Sequence, residues 1–173
     1  SHAYAFGITA YQMAWLKFHY PLEFYVAIFN QQPMGFYNLE TLKEDAKRHN
    51  IYVLKPDINE SEGKCTIHDL QSFRLGYLNV KGLGTTTVSD IVRARKLGGI
   101  FHSLGDAIRR TSLLREPIEN LINAGAFDSL VSSRREALWE AGLLYSSANS
   151  QKPLPLPVDQ DMVQFRSMSA WEI

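Results

Sequence analysis

The run Val80-Lys81-Gly82-Leu83-Gly84-Thr85-Thr86-Thr87 constrains the fold more than any other part of this sequence. Two glycines flank one leucine, and from Val88 onward the apolar residues recur with helical period: Val88, Ile91, Val92 and Arg95 share a side until Gly98-Gly99 ends the run. Glycine adopts positive φ cheaply, so the pair predicts a tight turn in which up to two positions use that freedom. Leu83 then tucks between the new helix and one ending near residues 78–80. Such a turn sets exposed N–H groups beside the unpaired first donors and the positive dipole end of the new helix, a combination that favours an anion. Thr85, Thr86 and Thr87 add hydroxyls and Lys81 adds charge. The same residues also suit a plain helix–helix turn, and on this stretch alone both readings stand.

A second, looser copy strengthens the anion reading. A helix over residues 117–124, the turn Gly125-Ala126, then Phe127-Asp128-Ser129-Leu130 and a helix from Arg134 repeat the helix–turn–helix order, with Arg134 and Arg135 near the second helix's start. Neither copy is a P-loop, because GLGTTT lacks the spacing and the lysine after the second glycine. The dinucleotide fingerprint also fails, since the third glycine is missing. A phosphodiester backbone fits best, and contacts from amides to phosphate carry no sequence information.

The rest of the chain reads as mainly helical. Residues 3–19 are apolar almost throughout, interrupted by Thr9, Gln12 and Lys17 and without a basic leader, which predicts a helix buried in protein rather than a signal peptide or membrane span. Pro21 opens a second helix and Asn38 caps a third, with Asn50 as its stop. Strand-like pieces lie at 51–54, 64–68 and 73–78, a small β element for which a hairpin suffices. Ser103 with Asp106, and Ser133 with Glu136, form capping-box patterns, and Pro117 sits at the start of the helix between them. Residues 146–160, rich in Ser, Ala, Asn and alternating Leu-Pro, read as a linker. The expected division is a helical segment over 1–60, a β-hairpin connection over 61–80, a tandem hairpin domain over 81–146 and a linker with the start of a further segment over 147–173. The chain opens inside one helical pattern and closes in the beginning of another, so a fragment of a longer protein is expected.

Composition excludes several classes. Of 173 residues 45% are hydrophobic and 21% charged, which describes a globular chain and not a disordered tail. Eighteen basic residues balance eighteen acidic ones, so any nucleic-acid contact is local rather than a property of the whole surface. Cys65 is the single cysteine, which excludes a disulfide framework and a cysteine-based zinc site and makes a reducing, cytoplasmic setting the default. His49, His68 and His102 show no metal spacing with each other or with Cys65. Lys43, Lys47 and Arg48 interleave with Glu40, Glu44 and Asp45 as on a solvated helix face. Tyr4, Tyr11, Trp15, Phe18, Tyr20, Phe24, Tyr25 and Phe29 are read as core packing in preference to a base-stacking platform. Lys17 and His19 are read as solvating the end of the first helix.

Together, Lys81-Gly82-Leu83-Gly84 and Ala124-Gly125-Ala126-Phe127-Asp128 resemble a paired helix-hairpin-helix domain. SHAYAFGITAYQMAWLKFHYPLEF resembles the end of the fingers of bacterial C-family polymerases, the alpha subunit of DNA polymerase III. DAKRHNIYVLKPDIN, GYLNVKGLG and AGAFDSL follow in that family's order, while NQQPMGFYNLETLKEDAKRH and LPLPVDQDMVQF resemble its error-prone, damage-tolerant branch. Val131 departs from the glycine many relatives carry after the Phe-Asp-Ser-Leu run. The resemblance implies a DNA-directed DNA polymerase of the bacterial cytoplasm whose catalytic aspartates and Mg²⁺ lie in a palm upstream, so that this segment is itself inert. It implies binding of double-stranded DNA through Lys81, Gly82, Leu83, Gly84, Thr85, Thr86, Thr87, Gly125, Arg134 and Arg135. It also implies packing against the remaining domains of the parent and a nucleotide-facing role for Ser1 and His2, which otherwise read as a frayed terminus or tag remnant. A noncatalytic interaction module that keeps the hairpins without binding DNA is the alternative.

Overall fold

Local signals place most of the helices. Pro21, which needs no N–H partner, sits in the first turn of α2 (Pro21–Asn30) immediately after α1 (His2–His19). Asn38 accepts from the Thr41 amide at 2.8 Å and so starts α3 (Leu39–Arg48), and Asn50 leaves it with φ +58°. The computed structural model describes residues 2–33 and 38–146. Ser1, the residues between Pro33 and Asn38, and the expected linker and further segment over 147–173 therefore lie outside the described residues.

The β element is larger than a hairpin. Strands β1 (Tyr52–Leu54), β2 (Thr66–Ile67) and β3 (Ser72–Arg74) form one sheet in the order β1-β3-β2, with β1 parallel and β2 antiparallel to β3. Only the β2–β3 pair is locally connected, so the parallel pairing of Val53 with Phe73 is invisible to a reading of short runs. The sheet closes a core with α2 and α3: Leu22, Tyr25, Phe29, Ala46, Ile51, Cys65, Phe73 and Leu75 are buried together. Asn30 brackets this core from the end of α2, its amide donating to the Cys65 carbonyl at 3.2 Å and accepting the Cys65 N–H at 2.7 Å. Burial pushes the Cys65 thiol up from its ordinary value, as expected of a structural cysteine.

A second core holds the hairpins. After a single 3-10 turn (Tyr77–Asn79) come α4 (Thr85–Gly98), α5 (Leu104–Thr111), α6 (Arg115–Asn123) and α7 (Arg134–Ser146). Val88, Ile91, Phe101, Leu104, Ile108, Ile118, Leu121, Ile122, Phe127 and Ala141 are buried among them. Ser103 caps α5 by accepting from the Asp106 amide at 3.0 Å, while Glu136 accepts from the Ser132 hydroxyl at 2.7 Å instead of boxing with Ser133. Arg110 ties the end of α4 to α5: its guanidinium donates to the carbonyls of Ala94, Gly99 and Ile100 and lies 4.4 Å from the Phe101 ring centre.

Helix α1 corrects one expectation. It buries no residue among the described ones, and Tyr4, Tyr11 and Phe18 are 76%, 71% and 80% exposed. Core packing holds for Tyr25 and Phe29 and fails for Tyr4, Tyr11, Trp15, Phe18 and Tyr20. The pattern reported that the helix is apolar on all sides, a property of its own residues; cover depends on what packs against it. Its last turns are anchored through Lys17, which donates to Asp45 at 2.7 Å, and through Trp15, whose ring meets that of Tyr20 at a tilt.

Candidate nucleic-acid interface

The first hairpin is built from one 3-10 turn and α4, not from two full helices. Tyr77 anchors this turn: its ring is fully buried and its hydroxyl donates to the Ile58 carbonyl at 2.8 Å. Asn79 in the same turn donates to the Phe29 carbonyl at 3.0 Å and accepts from the Cys65 thiol, joining the hairpin to the end of α2.

Of the two glycines here, only one needs to be glycine for its backbone. Gly82 has φ +80°, and a Cβ on it would lie 2.6 Å from the Asn120 amide nitrogen of α6. Gly84 has φ −87° and ψ 168°, an extended conformation open to any residue, with nothing within 4 Å of a Cβ. What Gly84 does provide is the absence of a side chain at the N-cap of α4, whose start no side chain caps. The first N–H groups of Thr85, Thr86 and Thr87 lack intrahelical acceptors by geometry, and Thr85 and Thr86 are exposed beside exposed Lys81 and Gly84. Leu83 is buried under the turn, as expected. Next to Lys81 a cleft of about 380 Å³ opens between α3 and the hairpins, walled by Lys43, Asn79, Asn120 and Asn123 among others.

The second hairpin has the same turn and a different surface. Gly125, at φ +84°, matches Gly82, and Ala126 is buried as Leu83 is. Arg134 and Asp128 lie directly over Gly125. Arg134 grips the Asp128 carboxylate with two nitrogens, at 2.8 and 2.6 Å, and donates to the Asn123 carbonyl at 3.1 Å. Lys55, just past β1, donates to the same carboxylate at 2.9 Å. The Arg134 guanidinium first, and Lys55 with it, hold the Asp128 carboxyl down at about 2. Arg135 is exposed on the first turn of α7. His2, at the start of α1, is exposed and meets the Phe6 ring edge-on at 4.6 Å, remote in the chain from both hairpins; Ser1 is outside the described residues.

Sequence reasoning missed the partners of both turns. Glu116 and Asn120, four residues apart on α6, form the face against Gly82, a spacing that carries that signal. Lys55 and Asp128 are far apart in sequence, and no local pattern joins them.

Two glycine-centred turns, each burying its next residue between helical elements, define a class of protein. Residues 50–137 match the family model described as helix-hairpin-helix motif, and the chain belongs to that family. Across more of its length it is similar to proteins named error-prone DNA polymerase. The one from Symbiobacterium thermophilum is 39% identical over 168 residues, covering 83% of this chain and 15% of the relative. That from Mycolicibacterium paratuberculosis is 39% identical over 91% of this chain and 14% of its own, and that from Teredinibacter turnerae 35% over 92% and 16%. The chain thus spans about one seventh of the length of the curated relatives it matches.

Proposed function

We propose that this chain is a segment of an error-prone DNA-directed DNA polymerase, acting in replication and repair synthesis in the bacterial cytoplasm, and that it grips the backbone of duplex DNA without sequence preference. The observation that carries the reading is the open start of α4. Helices α3 and α5 each begin on a side chain that accepts an amide, whereas α2, α4 and α6 begin without one; α4 differs from those two in starting on a glycine, at an exposed turn that also presents Lys81 and two threonine hydroxyls. Orphan amides at the positive end of a helix suit a phosphate. They read no base, which suits a protein that holds duplex of any sequence.

The chemistry of nucleotide transfer belongs, on this reading, to residues outside the chain. The Mg²⁺ implied for the parent would be held by those residues; among the described residues of this chain no three His, Cys, Asp or Glu side chains are grouped to hold a metal. The role of these residues is to position DNA.

The test is fluorescence anisotropy of a labelled duplex with the 173-residue chain at two salt concentrations. Contacts to about two to four phosphates give a log–log slope of roughly −2 to −4, with equal affinity for unrelated sequences. Absent or salt-independent binding would refute the DNA reading and leave the noncatalytic interaction module in its place.

A further inference from the structure

The two hairpins share a turn, yet their donors are spent differently. At the second, the Gly125 N–H donates to the Ile122 carbonyl at 2.9 Å, Ala126 to Leu121 at 2.9 Å and Asp128 to Gly125 at 3.2 Å. The Leu130 and Val131 amides both donate to the Phe127 carbonyl, at 2.8 and 3.1 Å. The helix that follows is also displaced: α7 begins nine positions after Gly125, whereas α4 begins three positions after Gly82. So most of the second turn's amides are spent on carbonyls of the turn and of α6, and no helix start adjoins it. The Asp128 carboxylate, aimed over Gly125, stands where an external anion would need to approach.

What the second hairpin does face is the rest of the molecule. The Ala126 carbonyl accepts the Ile58 N–H at 2.7 Å, and Lys55 reaches Asp128. Arg74 of β3 donates to the Lys55 carbonyl at 3.0 Å and pairs with Glu60. Asn59 in the same segment exchanges two hydrogen bonds with the Phe101 backbone, at 2.9 and 2.7 Å. Residues 55–61 are therefore stitched on one side to the sheet and on the other to the tip of the second hairpin.

We propose that the second hairpin is an internal joint, sealed by its own carboxylate, which docks the hairpin domain on the sheet domain, and that backbone contact is made by the first hairpin alone. This rests on the DNA reading above for its second half and on the hydrogen bonds alone for its first. The duplex then meets one helix start, at Lys81 and residues 84–87, and the second turn serves to hold that start at a fixed angle to α2, α3 and the sheet.

Two measurements on the 173-residue chain test it. Amide hydrogen exchange without DNA separates the turns: Ala126 and Asp128 exchange at least about 100-fold more slowly than Thr85 and Thr86. Equal rates at the two turns would overturn the joint whether or not the chain binds DNA. With duplex present, D128N is the discriminating variant, because it removes a negative charge and releases Arg134 and Lys55. If the second hairpin lies away from DNA, affinity stays within about twofold of the parent chain and the salt slope is unchanged, while K81Q weakens binding about threefold or more and flattens the slope by about one unit. A D128N affinity raised fivefold or more, with a steeper slope, would put the second hairpin on the DNA and overturn the inference. Failure of the parent chain itself to bind sinks the DNA reading instead, and the exchange result then decides the joint separately.

Discussion

Replacing Gly84 by aspartate should make the protein more stable and a poorer DNA binder at once. The residue occupies the N-cap of α4 in an extended conformation, with no atom within 4 Å of a new Cβ, so the substitution causes neither strain nor collision. Aspartate in place of glycine as a cap is worth a few tenths of a kcal/mol. Its charge at the positive end of a 14-residue helix adds about 0.3–1 kcal/mol. Loss of glycine's freedom in the unfolded chain adds about 0.4–1 kcal/mol more. The sum, about 1–2 kcal/mol, raises Tm by roughly 3–6 °C in a chain of this size. Binding moves the other way, because the carboxylate takes the amides a phosphate needs and repels it by about 1 kcal/mol at 4 Å in water, more near a protein surface. Affinity for duplex then falls about tenfold or more, with a flatter salt slope. Circular dichroism melts and anisotropy titrations measure the two effects on one preparation, and G84N, which caps without charge, should fall between. A raised Tm with unchanged affinity would refute the placement of phosphate at this helix start. An unchanged or lowered Tm would refute the cap geometry itself.

G82A should destabilise by about 1–3 kcal/mol in urea unfolding, since an alanine at φ +80° is strained and its Cβ displaces the Asn120 amide. R110M keeps the bulk over Phe101 but abandons three carbonyls at the end of α4, and a loss of about 2–3 kcal/mol is expected by the same method. The pH dependence of stability carries a signature of Asp128. Its carboxyl is held at about 2, below the ordinary value near 4, so its ion pair contributes fully above pH 4 and the contribution is lost as pH falls toward 2. With that carboxylate a third exposed, the screened effect is about 1 kcal/mol or less, and D128N should flatten the acid limb of a Tm–pH profile by that amount.

The parts of the fold that sequence displayed are those whose cause is local. Pro21, Asn38 and Ser103 start helices through contacts within three residues, and Gly82 and Gly125 carry the positive φ that marks each hairpin turn. What sequence concealed was set by partners distant in the chain. Tyr77 reads as a strand or helix residue and stands instead in a single 3-10 turn, its hydroxyl held by the distant Ile58 carbonyl. Gly84 looks like a second backbone necessity and is instead a missing cap. Arg134 reads as a cation for DNA because the turn that brings Asp128 under it is irregular, and Lys55 approaches from before β2. Helix α1 shows the converse: its apolar pattern was legible in full, yet a pattern names only what a helix needs and not the surface that supplies it.

Zero net charge looks at first like evidence against DNA binding, and the placement of the charges removes the objection. Much of the arginine is spent inside the fold. Arg95 donates to the Ser61 carbonyl and to Glu62, Arg74 holds Glu60 and the Lys55 carbonyl, and Arg110 and Arg134 clasp backbone carbonyls and a carboxylate each. These cations fix segments to one another and contribute little field at the surface. A grip made by amides at a helix start needs little field, because the donors are neutral groups aligned by the helix itself, with Lys81 adding a formal charge beside them and Lys43 across the adjoining cleft. The consequence is quantitative. A duplex held mainly by oriented N–H groups displaces few counterions, so its binding weakens gently with salt, where a basic patch of the same affinity would weaken steeply. On the proposed DNA reading, neutral composition and a shallow salt slope are two expressions of one design, in which the arginines build the scaffold and the backbone makes the contact.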